Sequence, residues 1–249
     1  MLIVAHPGHE LRVHGWLEKT RPEVLVLTDG SGHHGQSRLP STAALLARAG
    51  AKAGRLFGRF TDASIYQSVL DGDTALFASL TDEIAATLID NRVQCVVGDA
   101  AEGYNPTHDI CRLLINNAAA LAQRHLGTTI ESFAFPLADR PDRIGAHGAA
   151  EQSLELDDEA LARKLQAAHE YAELADEVAA ALNAWGPDAF RRESFWPTTA
   201  GSGIEPQEMP PYYERYGEQR VAAGVYQHVL RYADHVAPLA QALGRHAGG

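Results

Sequence analysis

Two histidine-containing turns are the features of this sequence best suited to chemistry. His6 and His9 stand three positions apart directly after the apolar run 2–5, which is typical of a short buried strand. His108 follows a second strand-like run, 93–97, and precedes a helical pattern. Neutral imidazole is the commonest metal ligand, and in open α/β sheets ligands bind at the carboxyl ends of the strands. The residues alone therefore indicate that His6 and His9 can reach one metal ion, with a third ligand supplied by a later loop.

Alternating strand and helix patterns must position these turns. Strand-like runs recur five times, at 2–5, 23–28, 54–60, 93–97 and 130–135. Helical patterns fill the intervals, near 9–19, 41–52, 73–90 and 109–125. This alternation predicts parallel pairing with right-handed crossovers. We expect an α/β fold, a three-layer sandwich around a mainly parallel, Rossmann-like sheet.

The character of the chain changes near Trp185. A long helix is predicted over 157–182, and nine of the eighteen aromatic residues lie at or after Trp185. We interpret 186–211 as an ordered loop, because prolines interrupt it, and predict a last helix over 214–243. The resulting domain organisation is a metal-binding α/β domain over 1–183 and an aromatic-rich extension over 184–249 packed on it.

Composition excludes some partners. The formal net charge is −11, from 21 basic and 32 acidic residues, which disfavours nucleic acid and anionic membranes as the main partner. The two cysteines, Cys95 and Cys111, give no disulfide framework, so a reducing compartment and a cytoplasmic location are expected. The first strand leaves no room for a signal peptide, and no apolar stretch approaches the length of a membrane span.

Four ordered motifs resemble the LmbE-like or PIG-L family of zinc-dependent deacetylases. That family begins with Ala-His-Pro-Asp-Asp-Glu, and this chain has Ala-His-Pro-Gly-His-Glu at 5–10. The family's Thr-Asp-Gly recurs at 28–30, and its His-Pro-Asp-His is matched by Asn-Pro-Thr-His at 105–108. A later helix with a lysine and a histidine is similar to 164–169. The likeness covers about 1–173 and agrees with the expected fold.

The resemblance implies a metal site and altered proton-transfer groups. It assigns His6, His9 and His108 as ligands of Zn²⁺ or another divalent transition metal, which would activate water. The family's general base is the aspartate that corresponds to Gly8. The histidine that assists the oxyanion in the family corresponds to Asn105. Metal binding is thus preserved, with His9 in the place of the family's aspartate ligand, while the usual base and the oxyanion-assisting histidine are replaced.

Carboxylates near the two turns are candidates for the missing base, and several polar or aromatic residues are candidates for substrate contacts. Each also has an ordinary structural role as its alternative. The candidate catalytic residues are Glu102, Asp99 and Glu10. The candidate substrate-binding residues are Asn105, His169, Asp29, Trp196 and Tyr212. His33 and His34, in the glycine-rich stretch 30–35, are interpreted as solvated loop residues.

Three functions remain open from the sequence. The leading hypothesis, from the resemblance, is a metal-dependent hydrolase that cuts a C–N amide bond, with an N-acyl sugar or a sugar-like conjugate as its small-molecule substrate. The first alternative is a metal enzyme with altered chemistry on the same fold. The second is a catalytically silent protein that binds a metal or a ligand. A homo-oligomer is neither required nor excluded.

Overall fold

The structure is a computed structural model. The residues it describes are 1–32, 35–138, 140–142, 152–206 and 208–248. His33 and His34, which are predicted to be solvated loop residues, lie outside these ranges.

Seven strands run through the described residues. They are β1 (Leu2–Val4), β2 (Glu23–Thr28), β3 (Lys52–Phe60), β4 (Cys95–Asp99), β5 (Glu131–Phe135), β6 (Gln152–Glu155) and β7 (Arg192–Pro197). Nine α-helices accompany them in the same part of the chain. They are α1 (His14–Thr20), α2 (Leu39–Ala49), α3 (Asp62–Leu70), α4 (Thr74–Asp90), α5 (Pro106–Leu126), α6 (Asp158–His169), α7 (Ala175–Trp185), α8 (Tyr212–Ala222) and α9 (Ala237–Gly248).

The strands form one mixed sheet in the order β3-β2-β1-β4-β5-β7-β6. β1 pairs with β2 in parallel, with Leu2 opposite Val24, and β2 pairs in parallel with β3. β7 is antiparallel to both of its neighbours, β5 and β6. The expected α/β sandwich is confirmed, and β7 gives it an antiparallel component.

Two compact units divide the chain. The first contains Met1–Thr61 and Phe133–Pro197, and the second contains Asp62–Ser132 and Thr198–Gly249. The segment 184–249, predicted as one extension, therefore contributes to both units. No helix in the described ranges is both long and apolar enough to cross a membrane.

The first unit is built on buried parallel strands. All three residues of β1 are buried, as are the last five of β2, which suits strands covered on both faces. The 3₁₀ helix His9–Val13 and α1 follow β1 directly. This turn places His6 and His9 at the carboxyl end of β1.

The second unit is built around α5. Fifteen of the 21 residues of this helix are buried, all of them before its last turn, and the helix packs against α4 and α9. Asn105 caps its first turn, Pro106 occupies the first helical position and Gly127 ends it with φ 66°. His108 is thereby held in the first turn of a buried helix.

Three local predictions are wrong. The long helix expected over 157–182 is two helices, because α6 ends at His169 and the buried Tyr171 precedes a 3₁₀ turn. The last helix expected over 214–243 is divided into α8 and α9, with Gly224 at φ 70° after α8. The loop expected over 186–211 contains β7.

Candidate functional site

His6 is held in one tautomer by Thr28. Its Nδ1 lies 2.7 Å from Thr28 Oγ1, and that hydroxyl donates its only hydrogen to the carbonyl oxygen of Ala5 at 3.1 Å. With this donation, the Thr28 oxygen accepts a hydrogen bond from His6 Nδ1–H, and the lone pair of the neutral ring is on Nε2. Metal-binding histidines are commonly fixed in this way, through the ring nitrogen that does not bind the metal.

His9 stands edge-on to His6. The two ring centroids are 5.2 Å apart and the rings are inclined by 87°. Gly8, between them in the chain, has φ 105° and ψ −20°, a region that favours glycine. A Cβ at this position would overlap Leu174 Cδ1. Gly8 thus leaves room for Leu174 where the resemblance would place an aspartate.

Glu10 is fully buried and fixes the turn that carries Gly8. One carboxylate oxygen accepts a hydrogen bond from Gly8 N at 2.8 Å, and the other accepts one from Thr42 Oγ1 at 2.6 Å. Thr42 Oγ1 also lies 2.8 Å from the hydroxyl of Tyr171. Burial, and then the charge of Glu10, raises the pKa of Tyr171, which keeps this phenol protonated. These contacts give Glu10 a positioning role.

Asp29 shapes the beginning of the loop after β2. Its Oδ1 accepts hydrogen bonds from Ser31 N at 3.0 Å and from Ser31 Oγ at 2.6 Å. Its carbonyl oxygen accepts a hydrogen bond from Arg38 N at 2.8 Å. Such side-chain-to-backbone bonds are typical of aspartate in turns. The predicted substrate contact of Asp29 stays a prediction.

In the second unit, Asn105 and His108 occupy the start of α5. Asn105 Oδ1 accepts a hydrogen bond from Thr107 N at 2.8 Å. The amide oxygen of Asn105 therefore caps the helix, and the two N–H groups of its amide nitrogen remain as donors. His108 lies one turn later and is 6% exposed. A capping asparagine can therefore also donate a hydrogen bond to a ligand.

Asp109 connects the start of α5 to the loop before it, a role that sequence reasoning missed. Its Oδ1 accepts hydrogen bonds from Glu102 N at 3.0 Å and from Gly103 N at 3.2 Å. Burial raises the pKa of Asp109 to about 7, although the two backbone N–H groups act in the opposite direction. The side chain of Glu102 itself is half-buried.

Asp99 ends β4 with no exposed surface. Its carbonyl oxygen accepts a hydrogen bond from Arg112 Nε at 2.6 Å. Burial lowers the pKa of Arg112 to about 10, while Cys111 and Asp99 raise it. Arg112 therefore remains a cation at neutral pH and provides a buried positive charge beside Asp99.

The other predicted substrate contacts lie in different elements. His169 is exposed at the end of α6. Trp196 lies in β7 opposite Ala134 and is 7% exposed, so it is not a loop residue. Tyr212 is the first residue of α8 and is 44% exposed. Their binding roles stay predictions.

The predicted metal ligands are divided between the units, with His6 and His9 in the first and His108 in the second. Within the part of the chain that the structure describes, no three His, Cys, Asp or Glu side chains are gathered so as to hold a metal ion. The residue types nevertheless suit a metal ion. The lone pair of the neutral His6 ring is on Nε2, and the His9 ring stands beside the His6 ring. The three-histidine site stays a prediction.

Comparison with solved structures gives the fold. The A40926 pseudoaglycone deacetylase is 22% identical, and the match covers 82% of this chain and 98% of that chain with a TM-score of 0.53. A conserved protein from Thermus thermophilus is 16% identical, covering 83% and 97%, with a TM-score of 0.52. The zinc-inhibited form of a teicoplanin deacetylase is 18% identical, covering 79% and 97%, with a TM-score of 0.50. The chain therefore shares the α/β fold of these structures. No family model and no curated protein matches the sequence.

Proposed function

We propose that this protein is a metal-dependent hydrolase that removes an N-acyl group from a small sugar or sugar-like conjugate. The observation that carries the proposal is the fixed tautomer of His6, because it prepares the first histidine of the opening motif for a metal. The shared fold supports the reaction class, since two of the similar structures are the A40926 pseudoaglycone deacetylase and a teicoplanin deacetylase.

The ligands would be His6, His9 and His108, and Zn²⁺ or another divalent transition metal would be the cofactor. A bound metal of this kind polarises the acyl oxygen and activates water for attack. A neutral imidazole is required of each ligand. With Thr28 accepting the hydrogen of Nδ1, the neutral ring of His6 would present the lone pair of Nε2 to the metal.

Glu102 is the best candidate for the base that receives the proton of the attacking water. Glu10 is enclosed and already accepts two hydrogen bonds, and Asp99 has no exposed surface. Glu102 is half-buried, so a substrate can reach it, and Asp109 fixes its backbone. Asn105 would donate its amide hydrogens to the acyl oxygen of the substrate. General bases contribute about 10²–10⁴-fold to a rate.

The test combines metal analysis with an assay of acetate release. Protein purified without added metal is analysed for bound metals and incubated with N-acetylglucosamine derivatives. We expect about one metal per chain, lost in His6→Ala and kept in His228→Ala, which changes an exposed histidine. Glu102→Gln should keep the metal and lower kcat by about 10²-fold or more. Full metal occupancy without turnover would instead support the silent metal-binding alternative, and metal retained by His6→Ala would refute the ligand assignment.

A further inference from the structure

Two exposed tyrosines form a parallel stack in the second unit. The ring centroids of Tyr104 and Tyr212 are 5.0 Å apart and the rings are inclined by only 5°. Tyr104 is 49% exposed and Tyr212 is 44% exposed. With one face against Tyr212, Tyr104 leaves a large part of its ring accessible to solvent. The hydrophobic core therefore does not account for this arrangement.

The backbone holds both rings in place. Gly103, directly before Tyr104, accepts a hydrogen bond at its carbonyl oxygen from Tyr213 N, directly after Tyr212, at 3.3 Å. Gly103 N donates to Asp109 Oδ1 at 3.2 Å. A Cβ on Gly103 would lie 3.3 Å from Pro211 Cβ, so the two segments are in close contact. The stack is thus ordered before a ligand arrives, which reduces the entropy lost on binding.

Further rings support the stack from the α8 side. Tyr216 lies 6.2 Å from Tyr212 with an inclination of 22°, and the guanidinium of Arg220 lies 5.8 Å from the Tyr216 ring. A cation over an aromatic face is attracted by the ring quadrupole. Arg220 also lies 5.7 Å from the Tyr226 ring, so the row of aromatic rings continues beyond Tyr216. Tyr104 is the exposed ring at the other side of this row.

We propose that Tyr104, backed by Tyr212, binds a planar aromatic group of the substrate face-on. This inference rests on the proposed function and specifies its substrate class, an N-acyl sugar joined to an aromatic group. Tyr104 directly precedes Asn105, which caps α5, so a ligand on the ring would lie near the start of the helix that carries His108. Two half-exposed rings are small beside the roughly 1,200 Å² that a stable protein interface buries, which favours a small ligand over a protein.

Phenyl and methyl N-acetylglucosaminides test the proposal, since they differ only in the aromatic group. Their dissociation constants are measured by titration calorimetry and their deacetylation is followed in parallel. The wild-type protein should bind the phenyl glycoside about three- to tenfold more tightly than the methyl glycoside. Tyr104→Leu should abolish this preference while leaving methyl-glycoside binding unchanged. Tyr104→Phe should keep the preference, as should Val225→Ala, which changes another exposed apolar residue of the same unit.

The outcomes separate this proposal from the proposed function. A preference that survives Tyr104→Leu, an equal loss for both glycosides, or no binding of either probe overturns the aromatic site. Deacetylation of both glycosides without any phenyl preference keeps the proposed function and refutes the aromatic site. A Tyr104-dependent preference without deacetylation keeps the aromatic site and refutes the proposed function.

Discussion

Replacing Lys164 by methionine should destabilise the first unit strongly. Lys164 Nζ lies 2.8 Å from Glu193 Oε1, and the two side chains are 3% and 0% exposed. Lys164 also donates to the carbonyl oxygen of Arg12, at 2.8 Å. Glu193 accepts hydrogen bonds from Gly15 N and Trp16 N, each at 2.8 Å, in the first turn of α1. The pair therefore joins α6 and β7 to the start of α1.

The expected loss of stability follows from the buried charge of Glu193, which Lys164→Met would leave without its partner. Burial lowers the pKa of Lys164, and the Glu193 carboxylate raises it, so each charge depends on the other. Removing one partner of a buried pair typically costs about 3–5 kcal/mol. We expect about 3 kcal/mol for Lys164→Met, because Glu193 keeps its two backbone donors. The double variant Lys164→Met/Glu193→Gln should be more stable than Lys164→Met by about 1–2 kcal/mol, since no isolated charge remains.

Urea unfolding followed by circular dichroism measures these free energies. The control is Arg163→Met, which removes an ion pair between the same helices, α6 and α1. Arg163 Nε lies 3.0 Å from Glu18 Oε1, and the two side chains are 52% and 25% exposed. An exposed pair contributes about 0–1 kcal/mol. If Lys164→Met lost no more stability than Arg163→Met, or if the double variant were the least stable of the three, the reasoning about buried charge would be refuted.

Three further predictions concern the first unit. Burial lowers the pKa of His14 below its usual value of 6.5, so at acidic pH this residue binds more protons in the unfolded chain than in the folded protein. The free energy of unfolding should therefore fall as the pH drops below about 6.5. His14→Gln should flatten that slope in unfolding experiments at about pH 5.5 and 7.5. Thr28→Val should weaken zinc binding about 10–100-fold in a chelator competition, while Thr28→Ser should preserve it, because only a hydroxyl fixes the tautomer of His6. Gly8→Asp should destabilise the fold by about 1–3 kcal/mol, with part of the loss recovered in Gly8→Asp/Leu174→Ala; equal stability of Gly8→Asp and the wild type would contradict this.

The parallel part of the sheet can be predicted from the sequence, because strand-like runs and helical patterns alternate along that part of the chain. β1 and β2 are short apolar runs, β3 is a longer strand that is mostly exposed or half-buried, and the sequence predicts a strand at each of these places with a helical pattern between them. The break after α6 was missed because Tyr171 continues an apolar pattern while its ring lies in the core. β7 was missed because its antiparallel pairing with β5 and β6 joins residues distant in the chain. Local periodicity contains no information about that pairing.

The residues near Gly8 can likewise be predicted from the sequence only in part, because some are neighbours in the chain and others are distant in it. A motif can indicate which side chains stand at the end of β1, since spacing fixes His6 and His9 there. It cannot indicate that Leu174, far along the chain, fills the space beside Gly8. The glycine and the leucine act together, because φ 105° disfavours a side chain at position 8 and Leu174 takes the volume that side chain would need. A side chain at position 8 is therefore disfavoured by the backbone conformation and by the position of Leu174. A general base in this protein must therefore come from a residue other than Gly8. The proposed base, Glu102, lies in the loop before α5.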